Sequence, residues 1–88
     1  PAMKSFTCTI RDKEGLHARP AGLLAAAAKK YAGTNVTIAK GDKSGDAKKI
    51  FKIMSLAVKC GDSVTITADG PDEDAALAET RAVLEGAG

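Results

Sequence analysis

The segment best suited to chemistry is 15–21, which reads GLHARPA and contains His17, the single histidine of the protein. A strand is predicted to end before this segment and a helix to begin at Ala18, which places His17 at or next to the N-cap position. The backbone amides of Ala18 and Arg19 are then among the unpaired donors of the first helical turn. Pro20 has no amide to offer and is tolerated in that turn. These features predict an anion-binding site that contains a nucleophile.

The chemistry that such a site suits is transfer of a phosphoryl group to histidine. A neutral imidazole nitrogen of His17 attacks phosphorus, while the amides of Ala18 and Arg19 and the guanidinium of Arg19 hold the incoming dianion. Because catalysis of this kind is mostly positioning and charge stabilisation, a small surface site suffices. In the alternative interpretation, His17 only caps the helix or lies on the surface. The residues alone leave both interpretations open.

The second informative segment is 48–60, where a helix is predicted over 48–58 with apolar residues on two sides. One side carries Ile53, Leu56, Ala57 and Cys60, and the other carries Ile50, Phe51, Met54 and Val58. The sheet is expected to cover one side. The other side either fills the core between helices or docks a partner protein, since Phe and Met favour interfaces.

Basic residues accompany this apolar patch. Lys29 and Lys30 lie near the end of the first predicted helix, Arg19 lies at its start, and Lys52 lies in the second. Together they can rim a docking surface and attract an acidic partner. Each lysine taken alone is explained equally well as part of an ordinary solvent-exposed basic surface.

A predicted alternation of strands and helices positions these segments. Strands are predicted from alternating apolar and polar residues, and helices from Ala- and Leu-rich stretches and from apolar residues at helical spacing. The predicted elements are strand 4–10, helix 18–32 ended by Gly33, strand 36–40, a short strand after a turn at 41–46, helix 48–58, strand 63–68, and a last helix that Pro71 opens and Gly86 ends. This order predicts an α+β layer structure whose exposed sheet face carries threonines and lysines.

Composition restricts the possible function classes. The chain has 88 residues, 44% of them hydrophobic and 3% aromatic, which predicts one small domain with an aliphatic core. The net charge of +2 is too small for a dedicated nucleic-acid binder, and a single histidine excludes most His-rich metal sites. Cys8 and Cys60 are expected to be buried reduced thiols.

No stretch of the sequence has the length and apolarity of a membrane span, and none has the pattern of a signal peptide. A cytoplasmic protein is therefore expected. Pro1 and Ala2 are expected to be an artificial extension ahead of a native Met3.

Three segments of the chain, GLHARPA, IFKIMSL and GDSVTITADGPDE, resemble the HPr family. Its members are the histidine-containing phosphocarriers of the bacterial phosphoenolpyruvate-dependent sugar phosphotransferase system. The resemblance covers essentially all of residues 3–88 and implies a single HPr-like domain there. It also implies an open-faced β-sandwich (βαββαβα) in which a four-stranded antiparallel sheet has three helices on one face. That order agrees with the order predicted from the residues.

The resemblance also assigns roles to individual residues. His17 matches the histidine that is phosphorylated on Nδ1, Arg19 matches the arginine that contacts the phosphoryl group, and Pro20 matches the proline that starts the helix. The positions that match the docking surface for Enzyme I and the sugar-specific A-domains are Ala18, Ala21, Lys29, Ile50, Phe51, Lys52 and Met54. The resemblance implies a monomeric carrier without cofactor or metal that acts stoichiometrically, so that "enzyme" describes it only loosely.

One position departs from the pattern of the family. Many members have a serine that an ATP-dependent regulatory kinase phosphorylates, where this chain has Lys49. A lysine cannot accept that phosphoryl group and cannot cap the helix as serine does, which implies that serine-based control is absent.

Two rival functions remain. One is a regulatory phosphocarrier of the nitrogen-linked branch of the phosphotransferase system, which uses the same histidine. The other is a binding module in which His17 is unmodified and the apolar patch of the second helix recruits a regulator.

Overall fold

The computed structural model describes residues 3–86 of the chain. Pro1 and Ala2, which are expected to be an artificial extension, lie outside the described residues, as do residues 87–88. The elements are β1 (Lys4–Thr9), α1 (Ala18–Lys29), β2 (Asn35–Lys40), β3 (Lys43–Asp46), α2 (Ile50–Met54), β4 (Ser63–Asp69) and α3 (Glu73–Gly86). The predicted βαββαβα order is therefore confirmed.

The four strands form one antiparallel sheet in the order β1-β4-β2-β3. Its register places Cys8 of β1 opposite Val64 of β4, and Ile38 of β2 opposite Ile66 of β4. Because side chains alternate between the two faces of a strand, one face of the sheet carries the buried apolar residues of β2 and β4, which are Val36, Ile38, Val64, Ile66 and Ala68. The other face carries threonines, among them Thr7 and Thr65, whose hydroxyl oxygens lie 3.0 Å apart.

All three helices cover the apolar face, and the core between the layers is aliphatic, as predicted. Its largest fully buried side chains include Leu24 of α1, Ile53 of α2, and Ile38 and Ile66 of the sheet. Aromatic side chains contribute only at the margin, where Phe6 and Tyr31 are partly buried against the core. No helix within residues 3–86 has the length and apolarity needed to cross a membrane.

The end of α1 was predicted too far along the chain. The helix ends at Lys29 and not at Ala32, and its C-cap residue is Lys30 in the right-handed conformation. The carbonyls that follow are satisfied from outside the helix, because Lys48 Nζ donates to the carbonyl oxygens of Tyr31 at 3.0 Å and of Ala32 at 3.4 Å. Gly33 is therefore not the residue that ends the helix.

Helix α2 is much shorter than predicted. It ends at Met54, and its last turn is closed by i+3 hydrogen bonds from Leu56 and Ala57. Ala57 then takes a positive φ of 53°, which turns the chain away from the helix axis. As a result Val58 and Cys60 are not on the helix, and the two continuous apolar sides predicted for it do not exist.

Two further predictions need correction. Cys8 and Cys60 are both free, but Cys8 is only half-buried and Cys60 is exposed, because Cys60 lies in the turn before β4 and not on the inner side of α2. Helix α3 begins at Glu73 and not at Pro71, with the Asp72 carbonyl accepting the first helical bond, from Ala76 at 2.9 Å.

Candidate functional site

His17 lies at the N-cap position of α1, as predicted. Its backbone is extended (φ −80°, ψ −171°), and its carbonyl oxygen accepts the Ala21 amide at 3.0 Å. The side chain makes no capping hydrogen bond, so the interpretation in which the imidazole serves only as a helix cap is wrong. Within residues 3–86 the amides of Ala18 and Arg19 have no acceptor, which leaves two donors beside the imidazole at the positive end of the helix.

The loop before α1 is held by backbone contacts that only glycine permits. Gly15 has a φ of +71°, and a Cβ on it would lie 2.3 Å from the Val58 carbonyl oxygen and 2.7 Å from the Lys59 Cα. Its amide donates to the Asp12 carbonyl at 2.9 Å. The next amide, of the buried Leu16, donates to the Val58 carbonyl at 3.0 Å. The backbone next to His17 is thereby tied to the segment that follows α2.

The imidazole of His17 has a carboxylate partner. Its Nε2 lies 3.3 Å from Asp12 Oδ2, and the side chains are 30% and 13% exposed respectively. The other oxygen of the same carboxylate, Oδ1, accepts the Glu14 amide at 2.9 Å. The pKa of the Asp12 carboxyl is lowered, mainly by the hydrogen bond from Glu14 and then by the hydrogen bond and charge of His17 and the charge of Arg19. This pair was not predicted from the sequence, because no short-range pattern marks Asp12 as a partner of His17.

His17 and Arg19 line one open depression on the surface, which confirms that the first turn of α1 brings them together. The remaining lining residues are Arg11, Asp12, Lys13 and Glu14. Arg19 is exposed and has no ion-pair partner within residues 3–86, so its guanidinium is available to an anion. The depression has the donors for a phosphoryl dianion and is open enough for a protein-bound donor to reach it.

Three side chains in this depression are chemically able to share a cation. One donor atom each from Asp12, Glu14 and His17 lies within 4.8 Å of the other two. Glu14 is exposed, and nothing beyond the proximity of the three atoms points to a metal. The expectation that the protein needs no metal stays a prediction.

Most of the residues predicted to dock partners lie at the surface. Phe51 is 82% exposed and Met54 40% exposed, which answers the question that the sequence left open, because neither fills the core. Lys29, Ile50, Phe51 and Lys52 line one groove between the end of α1 and the start of α2. We use the term docking face for the surface that is predicted to bind partners and that is formed by Ala18, Lys29, Ile50, Phe51, Lys52 and Met54.

Two residues of the predicted surface lie elsewhere. Ala21 is fully buried on the inner side of α1. Its side chain therefore cannot contact a partner, and it is left out of the docking face. Lys30 forms an ion pair with Glu79 of α3, which directs it away from the groove. Lys29, in contrast, lines the groove and has no ion-pair partner within the described part of the chain.

One exposed apolar residue was missed. Leu23 of α1 is 53% exposed, and it follows Gly22, where a Cβ would lie 3.6 Å from Ile50 Cδ1 of α2. The sequence shows adjacent leucines at 23 and 24, and only their packing distinguishes the exposed one from the buried one.

Lys49 is the N-cap residue of α2 and makes no side-chain capping hydrogen bond. The position predicted to correspond to the regulatory serine is therefore at the start of α2, as expected, and it is occupied by an exposed lysine.

Comparison with known proteins identifies the family. The family model described as "PTS HPr component phosphorylation site" matches residues 4–86. The phosphocarrier protein HPr of Mycoplasma genitalium is 43% identical over 83 residues, which cover 94% of each chain. A mycoplasmal histidine-containing phosphocarrier protein of known structure superposes with a TM-score of 0.90 at 41% identity, covering 94% of this chain and 93% of the other.

The same sequence pattern also occurs inside longer proteins. A multiphosphoryl transfer protein of Xanthomonas campestris is 38% identical over 80 residues, which cover 91% of this chain but only 9% of that protein. With a matching family model over nearly the whole chain and a matching fold, the chain belongs to the HPr family, the phosphocarriers of the phosphotransferase system.

Proposed function

We propose that His17 is the residue on which this protein carries the phosphoryl group. The observation that carries the proposal is the position of the imidazole at the N-terminus of α1, without a capping bond and beside two amides without acceptors. A helix N-terminus of this kind favours a bound anion. Arg19 lines the same depression and adds a full positive charge.

Phosphoryl transfer at this site depends on positioning and charge stabilisation. An unprotonated ring nitrogen of His17 supplies the electron pair for the new bond to phosphorus. The amides of Ala18 and Arg19 and the Arg19 guanidinium hold the phosphoryl oxygens. The phosphoryl group must also leave the site, so the site has to be open to the protein that donates the group and to the protein that accepts it.

Enzyme I is the proposed donor and the sugar-specific A-domains are the proposed acceptors. The docking face supports this proposal, because it places exposed apolar side chains, Phe51 and Met54, beside Lys29 and Lys52. Such a surface fits a partner with an apolar patch and an acidic rim. The protein is proposed to act as a monomer in the cytoplasm, recycled stoichiometrically.

The proposal is tested by incubating the protein with Enzyme I and phosphoenolpyruvate and measuring its mass. The wild type is expected to gain the mass of one phosphoryl group, and His17→Ala is expected to gain none. An unmodified wild type, or equal modification of the variant, would refute the assignment.

We favour the sugar branch over the nitrogen-linked branch, because the surface formed by Ile50, Phe51 and Lys52 resembles that of the sugar branch. Rates of transfer from the phosphorylated protein to A-domains of the two branches distinguish them, with faster transfer to the sugar class expected. If the protein is instead a binding module without phosphoryl transfer, the His17→Ala variant is expected to bind the same partners and to support normal sugar uptake in cells.

A further inference from the structure

The Asp12 carboxylate is held between the loop backbone and the imidazole of His17. Oδ1 accepts the Glu14 amide at 2.9 Å and Oδ2 lies 3.3 Å from His17 Nε2. The Asp12 carbonyl also accepts the Gly15 amide at 2.9 Å, so both the main chain and the side chain of Asp12 are fixed in the turn. The side chain is 13% exposed, which limits competition from water for Oδ2.

This geometry determines which ring nitrogen of a neutral His17 carries the proton. The lowered pKa of the Asp12 carboxyl keeps it ionised at neutral pH. An ionised carboxylate can only accept hydrogen bonds, whereas a neutral imidazole has one N–H donor and one acceptor nitrogen. Nε2 must therefore carry the proton, and the lone pair available for chemistry lies on Nδ1.

We propose that Asp12 is a positioning residue for phosphoryl transfer at His17: by accepting a hydrogen bond from Nε2–H, it holds the imidazole in the tautomer whose Nδ1 is the nucleophile. The proposal rests on the proposed function of His17 and adds a partner that selects the atom. Hydrogen bonding of one ring nitrogen to a carboxylate generally fixes the role of the other.

Transfer of the phosphoryl group to Nδ1 requires no proton to move. The Nδ1 lone pair forms the new bond to phosphorus, while the bond between phosphorus and the donor breaks and its electron pair stays with the donor. The proton stays on Nε2, so the ring becomes a cation as the phosphoryl group arrives. Asp12 then lies opposite the N–H of a positively charged ring and stabilises it by charge as well as by hydrogen bonding.

Asp12→Asn tests the proposal with an almost isosteric change. The Glu14 amide continues to need an acceptor, so the asparagine oxygen is expected to stay at the Oδ1 position and the amide nitrogen to replace Oδ2. That nitrogen donates to Nε2 and favours the opposite tautomer, with the proton on Nδ1. We expect ¹H–¹⁵N spectra of the imidazole to show Nε2–H in the wild type and Nδ1–H in the variant.

The rate of phosphorylation by Enzyme I gives the second measurement. We expect Asp12→Asn to be phosphorylated about ten- to a hundredfold more slowly, by analogy with the loss seen when a partner that orients a metal-bound histidine is removed. Glu14→Gln is the matched control for the tautomer, because it removes the same charge from the same loop and should keep Nε2–H. A chelator in the samples for the spectra removes any cation held by the three neighbouring side chains.

A wild type with Nδ1–H, an Asp12→Asn variant that keeps Nε2–H, or a variant phosphorylated within about twofold of the wild-type rate would overturn the proposal. If Asp12→Asn does not fold, Asp12→Ser takes its place. Its hydroxyl can accept the Glu14 amide but does not reach the ring, so a mixture of tautomers is expected and retention of Nε2–H counts against the proposal. The spectra need no Enzyme I, and they therefore separate failure of this proposal from failure of the proposed function.

Discussion

Replacing Gly15 with alanine is expected to disrupt the loop that carries His17. Two costs arise from the structure. The φ of +71° lies in the left-handed region, which costs a non-glycine residue about 1–2 kcal/mol. The new Cβ would also lie 2.3 Å from the Val58 carbonyl oxygen and 2.7 Å from the Lys59 Cα, both of them backbone atoms that no side-chain rotation can move.

Relieving that overlap requires the two backbone segments to separate. Forcing one extra carbon into a packed site costs about 1–3 kcal/mol. Separation also weakens the 3.0 Å hydrogen bond from the Leu16 amide to the same Val58 oxygen, worth about 0.5–1.5 kcal/mol. The expected loss of unfolding free energy is therefore about 2.5–6.5 kcal/mol, a large part of the 5–15 kcal/mol typical of a whole domain.

Gly41→Ala is the matched control. Gly41 has a similar φ of +61°, but nothing lies within 4 Å of the position of its Cβ. It therefore reports the conformational cost alone, about 1–2 kcal/mol. Urea unfolding of both variants measures the difference, and phosphorylation by Enzyme I shows whether only Gly15→Ala displaces His17. If the unfolding free energies of the two variants differ by less than about 0.5 kcal/mol, the backbone contact at Gly15 does not hold the loop.

Three further changes test other parts of the structure. Lys48→Met removes one of the two donors to the Tyr31 carbonyl, the other being the Thr34 amide, and also removes the donor to the Ala32 carbonyl. It is expected to lower the unfolding free energy by about 0.5–1.5 kcal/mol, measured by urea unfolding; unchanged stability would show that the end of α1 does not need Lys48. Hydrogen bonds from Lys30 and then Tyr31 lower the pKa of the Glu79 carboxyl below its ordinary 4.5, so its stabilising effect is complete above that pH and is lost as the pH falls further. Glu79→Gln should therefore lose less stability than the wild type as the pH falls below about 4.5, and an identical pH profile would contradict the pairing. Phe51→Ala should change the unfolding free energy by less than about 0.5 kcal/mol, because the side chain is 82% exposed. It should nevertheless raise the concentration of this protein that Enzyme I needs for half-maximal phosphorylation. If that concentration is unchanged, Phe51 does not belong to the docking face.

Strands β1, β2 and β4 and the start of α1 were predictable because their signals are local, whereas β3, predicted to follow a turn at 41–46, lies within that segment at Lys43–Asp46. Alternation of apolar and polar residues in β2 and β4 placed both strands within one residue of their observed ends. The segment 15–21 contains a glycine, a histidine and a proline at positions that suit a turn, an N-cap and a first helical turn, and the structure places a helix start there.

The ends of α1 and α2 were not predictable from their own residues. Helix α1 stops at Lys29 although Ala32 is a good helix former. The carbonyls of Tyr31 and Ala32 accept hydrogen bonds from Lys48 of a distant segment, and the Thr34 amide also donates to Tyr31. Helix α2 stops because Ala57 takes a positive φ, which brings Val58 back to the Leu16 amide. In both cases a long-range contact outweighs helix propensity, which is a weak local preference.

By itself, the sequence determined the order of the elements, the aliphatic character of the core and the presence of His17 and Arg19 at a helix start. Each of these depends on residue types and on spacings of a few positions. Only the tertiary structure decided that Phe51 is exposed while Ala21 is buried, and that Asp12 lies against the imidazole. These outcomes depend on how the loop folds over Gly15 and how the helices pack on the sheet, since hydrogen bonds and burial are set by distances in space that short sequence patterns do not contain.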